Sequence, residues 1–265
     1  MATVGGAGDF VACLLPRLSR LFFSAALAAV LVGNLHAQRA GVRGAAEPPR
    51  IGKSGALYDI TGYWVSVVTE DWRHRMVTPP KGDYTGVMLN EAGRKLADTW
   101  DPAKDGASGE PCRGYGAPGI MRLPGRLHIT WQDDQTLKLE ADAGAQTRLL
   151  YFGTTDTQGG GWQGLSQASW EVLPAARGQS TVGSLKVVTT RMKPGYLRKN
   201  GVPYSAHAVL TEYFDRVTEP DGQAYLLISA TLEDPAYLAQ PFVTASHFRR
   251  QADATGWNPT PCSAN

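Results

Sequence analysis

The chain is 265 residues long, 43% hydrophobic and 19% charged, with a formal net charge of +2. That mixture is too apolar for a disordered chain and too polar for a bundle of membrane helices, and it lacks the basic excess with which nucleic-acid binders grip phosphates. The 30 glycines and 17 prolines favour many turns and short strands over long helices.

The first element is read as an address. Residues 21–33, LFFSAALAAVLVG, form an uncharged apolar run behind Arg17 and Arg20. The run is shorter than the roughly 20 residues a spanning helix needs. A basic flank, a short apolar core and then small residues describe a secretory signal peptide, with cleavage expected after Ala37. The expected organisation is a signal peptide over 1–37, a flexible Gly/Ala/Arg/Pro linker over 38–58 and a β-barrel domain over 59–265. Processing would remove Cys13 and leave Cys112 and Cys262, an even pair that in an oxidising compartment reads as one disulfide. The expected location is therefore periplasmic or secreted, with no membrane span after processing.

From Asp59 onward the pattern has period two. Arg126–Trp131 sets Leu127, Ile129 and Trp131 against Arg126, His128 and Thr130, and Thr136–Ala141 alternates in the same way. Gln132-Asp133-Asp134-Gln135 reads as the turn between them. Further strands are expected at Gly62–Val68, Thr147–Phe152, Ser166–Val172, Ser184–Met192, His207–Phe214, Gln223–Glu233 and Phe242–Arg250. One short helix is expected after Asn90, which caps it, and Asp101-Pro102 stops it. Nine strands in meander order suit an all-β, antiparallel up-and-down barrel, since closure removes the exposed edges.

No Walker loop, dinucleotide fingerprint, H-E-x-x-H or G-x-S-x-G is present. Gly164-Leu165-Ser166-Gln167-Ala168 lacks the last glycine of a nucleophile elbow. His74, His128, His207 and His247 have no metal-motif spacing, so no metal or cofactor is implied. The aromatic content is more informative. Trp64, Trp72, Arg73, Trp131, Arg148, Trp170 and Tyr213 are the candidate contacts for a small, largely apolar ligand, while any single tryptophan is more simply core filling.

Gly62-Tyr63-Trp64 on the first strand resembles the G-x-W of lipocalins, in which the tryptophan plugs one barrel end and a late Arg or Lys packs over it, here Arg249 or Arg250. A wider resemblance, over about residues 111–250, is to secreted proteins of acidobacteria and proteobacteria. It rests on Cys112 ahead of an Ile120-Met121-Arg122 strand, Trp162…Ser166…Trp170-Glu171, His207…Glu212…Phe214…Arg216 and Asp234-Pro235…Pro241-Phe242. It implies export and a barrel, and no mechanism.

Three readings follow. A hollow aromatic-lined interior implies ligand binding. His207 and Glu212 converging on a pocket imply an isomerase or hydrolase acid–base pair. A solid interior implies a structural envelope protein. Alternation also places Arg148 with Leu150 and Phe152, and Glu212 with Leu210 and Phe214, so both charges are expected to point inward and to pair or to share a polar pocket with His207.

Overall fold

A computed structural model describes residues 51–155, 159–173 and 182–264. The expected signal segment, Cys13 and the linker up to residue 50 lie outside these described residues. The strands are β1 (Gly62–Val67), β2 (Arg126–Asp133), β3 (Thr136–Ala141), β4 (Gln146–Phe152), β5 (Leu165–Leu173), β6 (Val182–Thr190), β7 (Gly195–Arg198), β8 (Val202–Tyr204), β9 (Val209–Thr218), β10 (Ala224–Glu233) and β11 (Phe242–Gln251). Nine of them close into a barrel in the order β1-β11-β10-β9-β6-β5-β4-β3-β2, and β7 pairs only with β8. The nine barrel strands are the nine expected from period-two alternation, with shifted ends.

The topology departs from a pure meander for a reason of parity. A closed ring with an odd number of strands cannot have every neighbouring pair antiparallel. The barrel meets this with one parallel pair, β4 with β5, in which Leu150 lies opposite Ser166 and Phe152 opposite Ala168. Parallel neighbours need a connection of about a dozen residues or more, and twelve residues separate Phe152 from Leu165 in the sequence. The other departure is β6 to β9, between which the β7–β8 hairpin projects from the barrel.

The barrel is filled. Trp64, Ile129, Leu137, Leu139, Leu150, Leu185, Val187, Phe214, Leu226, Ile228 and Phe248 are each at most 1% exposed. Side chains so fully enclosed touch neither solvent nor a void that water could enter. Trp64 donates Nε1 to Ile60 O at 2.9 Å, and the Arg250 guanidinium lies 5.1 Å from the centre of its ring. Gly62 makes that stacking possible: with φ at +106°, a Cβ there would sit 2.7 Å from Arg250 Nη2. Residues 51–58, within the span assigned to a linker, lie against this end of the barrel. Trp170 Nε1 donates to Gly52 O at 3.1 Å, and Tyr58 OH donates to Phe214 O at 2.6 Å.

A second, smaller core includes Leu210 from β9, Leu232 from β10, Val202 and Tyr204 from β8, and Tyr84, Val87 and Leu89 from the long β1–β2 connection. That connection carries α1 (Trp72–Arg75), α2 (Glu91–Ala97), α3 (Pro102–Ala107) and α4 (Ala117–Ile120), where one helix was expected. Asn90 caps α2 through Gly93 N at 2.8 Å, as expected. Asp101 does more than end it: its carboxylate accepts from Ala103 N at 3.0 Å and opens α3 with Pro102 in the first turn, where proline's fixed φ suits a helix. The expected Ile120-Met121-Arg122 strand is instead the end of α4 and the turn after it, because Pro118 in the first turn presets helical backbone. Cys112 and Cys262 are disulfide-bonded with Cα atoms 5.1 Å apart, tying this connection to the C-terminal tail. Among the described residues no helix is long and apolar enough to cross a membrane.

Candidate functional site

Inside the barrel, Arg148 and Glu212 meet, with side chains 2% and 1% exposed. Arg148 Nη1 donates to Glu212 Oε1 at 3.1 Å, and its Nη2 donates to Glu212 Oε2 and to Thr189 Oγ1 at 2.8 Å. Arg148 Nε donates to Ser166 Oγ at 3.2 Å, and Ser166 and Thr189 share a bond of 2.8 Å. One positive charge faces one negative charge, and the Ser166 and Thr189 hydroxyls take two further N–H groups, so that every nitrogen of the guanidinium has a partner. Such closure is what a buried ion pair requires.

The other sequence candidates divide by place. Trp64 plugs the barrel, Trp131 packs at a tilt on Phe152 with ring centres 5.4 Å apart, and Trp170 meets Tyr58 edge-on at 5.2 Å. All three are packed in or against the barrel core. Tyr213, next in sequence to inward-facing Glu212, lies on the outer face with Lys186 Nζ 5.6 Å from its ring. His207 is exposed on the segment before β9, whereas Glu212 is sealed in the barrel, so the two do not come together as an acid–base pair, and His207 has no place in the Arg148 network. Trp72 and Arg73 stand apart from the rest. They lie on α1, just beyond β1, at a site with a different chemistry.

Four segments build that site: the turn Glu70-Asp71 after β1, α1, Arg122 after α4, and Arg198 at the end of β7. Asp71 enters α1 with φ at +51°, a left-handed conformation that aspartate tolerates better than most residues. The turn sets its carboxylate at the centre of the cluster. Oδ1 contacts His74 Nδ1 at 2.8 Å, and Oδ2 accepts from Arg122 and from Arg198 Nη2 at 3.3 Å. Burial pushes the Asp71 carboxyl up, but the His74 and Arg122 hydrogen bonds and the charges of Arg122 and Arg198 outweigh it and hold Asp71 below the usual carboxylate value. Arg75 donates Nε to Arg122 O at 2.8 Å and Nη1 to Glu70. Arg198 donates Nη1 to Thr85 O at 2.6 Å.

The charges here do not close. Arg75, Arg122 and Arg198, with side chains 0%, 6% and 3% exposed, face the carboxylates Glu70 and Asp71, each 30% exposed. Asp83 lies 3.6 Å from both Arg73 and His74 at the outer edge, and Lys199 adds a further cation to the lining. Arg75 Nη2 and Arg198 Nε are buried with no hydrogen-bond partner in the protein. Burial lowers the affinity of both guanidiniums for their protons, yet arginine stays charged. These cations border a recess of about 30 Å³, together with His74 and Thr78. The recess shares His74, Val77, Thr78 and Pro79 with an adjoining cavity of about 220 Å³ that Trp72, Arg73, Met76, Pro80 and Asp83 complete. Trp72, Met76 and Val77 are 64%, 57% and 69% exposed, a cluster of large apolar side chains that solvent alone does not explain.

Trp72 and Arg73 were named from the sequence as ligand contacts, without a helix to carry them. Arg122 and Arg198 carried no signal toward this site, because they reach it from a turn after α4 and from the end of β7, far apart in the chain. Among the described residues no group of three or more His, Cys, Asp or Glu side chains gathers to hold a metal ion. No family model, curated protein or solved structure matches the chain.

Proposed function

We propose that this chain is an exported binding protein for a small, largely apolar molecule carrying an anionic group, held beside the barrel rather than within it. The anionic group enters the recess between Arg75, Arg122 and Arg198, and the apolar body lies over Trp72, Met76, Val77, Pro79 and Pro80. One observation carries this reading: two buried guanidiniums with unpaired N–H groups border a recess that shares four lining residues with an adjoining, largely apolar cavity. A carboxylate or similar oxyanion supplies the acceptors that those groups lack, and charge-assisted hydrogen bonds are the strong ones. Export is supported by the residue 21–33 segment and by the Cys112–Cys262 pairing, which suits an oxidising compartment. The lipocalin resemblance is supported by Gly62, Trp64 and Arg250 meeting at one barrel end.

The filled barrel favours a second reading, a structural envelope protein with no ligand. Calorimetric titration separates the two. Hexanoate, octanoate and decanoate should bind with affinity rising roughly fourfold per added methylene, at about 0.8 kcal/mol each, and octan-1-ol should bind at least about tenfold more weakly than octanoate. Arg198→Gln should weaken octanoate by a similar factor. Heat from none of the acids would leave the envelope reading standing.

A further inference from the structure

The recess bordered by Arg75, Arg122 and Arg198 holds one further group, His74, which the arginines do not need in order to attract an anion. We propose, resting on the anion-binding role given to that recess, that His74 couples the ligand to a proton. The site takes up a proton on His74 as the anion enters, so the ligand is held at mildly acid pH and released as pH rises.

The ring sits between two carboxylates. His74 lies on α1 with its side chain 9% exposed, and it lines both the recess and the adjoining cavity. Its Nδ1 is 2.8 Å from Asp71 Oδ1. An ionised carboxylate can only accept, so Nδ1 carries the hydrogen and Nε2 of the neutral ring is a lone pair. That Nε2 is buried with no hydrogen-bond partner, 3.6 Å from Asp83 Oδ2. Two acceptors thus lie side by side out of water with no hydrogen between them, which is unfavourable. A proton on Nε2 converts the contact into an ion pair and bridges Asp71, before α1, to Asp83, beyond it.

Opposing charges surround the ring. Asp71 and Asp83 favour the proton. Hydrogen bonds from Thr85 hold the Asp83 carboxyl below the usual carboxylate value, and Asp71 is also held below it, so both stay ionised near neutral pH. Glu70 adds a third negative charge, paired with Arg75. Burial opposes the proton, since it disfavours a charged imidazole. So do the cations: Arg73 and Arg75 on α1 itself, Arg122 after α4, and Arg198 and Lys199 at the end of β7. A carboxylate in the recess offsets their repulsion without touching the ring. The anion therefore favours the proton, and by linkage the proton favours the anion to the same degree. Histidine is the side chain whose charge ordinarily changes between pH 5 and 8. A second one stands nearby, His247 on β11, with Nδ1 3.4 Å from Glu70 Oε2, but it is not part of the recess lining.

The test is calorimetric titration of the full chain with octanoate at pH 6, 7 and 8, each in two buffers of different ionisation enthalpy, so that the heats also count protons taken up. A carboxylate of ordinary pKa is ionised throughout this range. Affinity should fall about tenfold from pH 6 to pH 8, with net proton uptake on binding. His74→Gln should flatten the pH profile and abolish the uptake, whereas His247→Gln should keep both. Equal affinity at pH 6 and pH 8 without uptake would overturn the coupling and leave the anion site standing. Uptake that survives His74→Gln, or is lost in His247→Gln, would do the same. No octanoate binding at any of the three pH values would overturn the anion site and the coupling together. If His74→Gln fails to fold, the wild-type uptake and its survival in His247→Gln decide the matter.

Discussion

Arg148 inside the barrel and the Arg75–Arg122–Arg198 cluster beside it use the same chemistry to opposite ends. Arg148 meets one carboxylate and two hydroxyls, and each of its three nitrogens has a partner. The outer cluster sets three guanidiniums against two half-exposed carboxylates and leaves two N–H groups unmatched. A complete network holds a fold in one arrangement. An incomplete one, at the edge of a cavity, holds a place for something else.

The largest expected effect breaks the complete network. Glu212→Ala leaves Arg148 buried without its countercharge and should destabilise the fold by about 3–5 kcal/mol in chemical denaturation. The double change Arg148→Met with Glu212→Leu should recover most of that loss, since an apolar pair of similar size costs no desolvation. The outer cluster should respond differently. Arg198→Gln removes one of three like charges and should destabilise the fold less than Glu212→Ala does, while octanoate binding weakens about tenfold. Equal destabilisation by both variants would erase the distinction between the two sites.

Next in size is the disulfide, which closes a loop of 150 residues. Cys112→Ser with Cys262→Ser should cost about 2–5 kcal/mol, chiefly by freeing the unfolded chain. Octanoate binding to the folded variant should persist, because the recess draws no wall from the C-terminal tail.

The smallest effect concerns pH. Asp71 has its folded pKa held below the ordinary value of 3.8. A carboxyl lowered by folding contributes stability that is present above its unfolded pKa and is lost as pH falls through the folded value. Thermal scans from pH 5 downward should therefore show a loss in the wild type that Asp71→Asn reduces. Asparagine also accepts the left-handed backbone at this position, so the comparison removes the charge, together with one acceptor oxygen, without straining the turn. Identical acid profiles would show that Asp71 contributes nothing through its ionisation.

The barrel was legible in the sequence because each of its strands buries one face, so alternation survives in segments such as Leu127/Ile129 and Leu137/Leu139. The same alternation put Arg148 and Glu212 on the inner face, and the structure brings them together. The β7–β8 hairpin was not legible. Val202, Pro203 and Tyr204 are all buried, so no alternation marks β8, and a proline stands in its middle. The parallel β4–β5 pair was hidden for another reason: strand identity does not state which neighbour a strand takes. Of the outer site, only Trp72 and Arg73 were named from the sequence. Arg75, Arg122 and Arg198 are joined by turns and loop closures, which leave no periodic trace.

The most direct measurement is a crystal structure of the chain grown with 8-bromooctanoate, read by the anomalous signal of bromine. The carboxylate should lie against Arg75 and Arg198, with the bromine peak over Trp72, Met76 or Val77. A bromine peak among Trp64, Trp131 and Trp170 inside the barrel, or no ordered ligand at saturating concentration, would contradict a binding site beside the barrel.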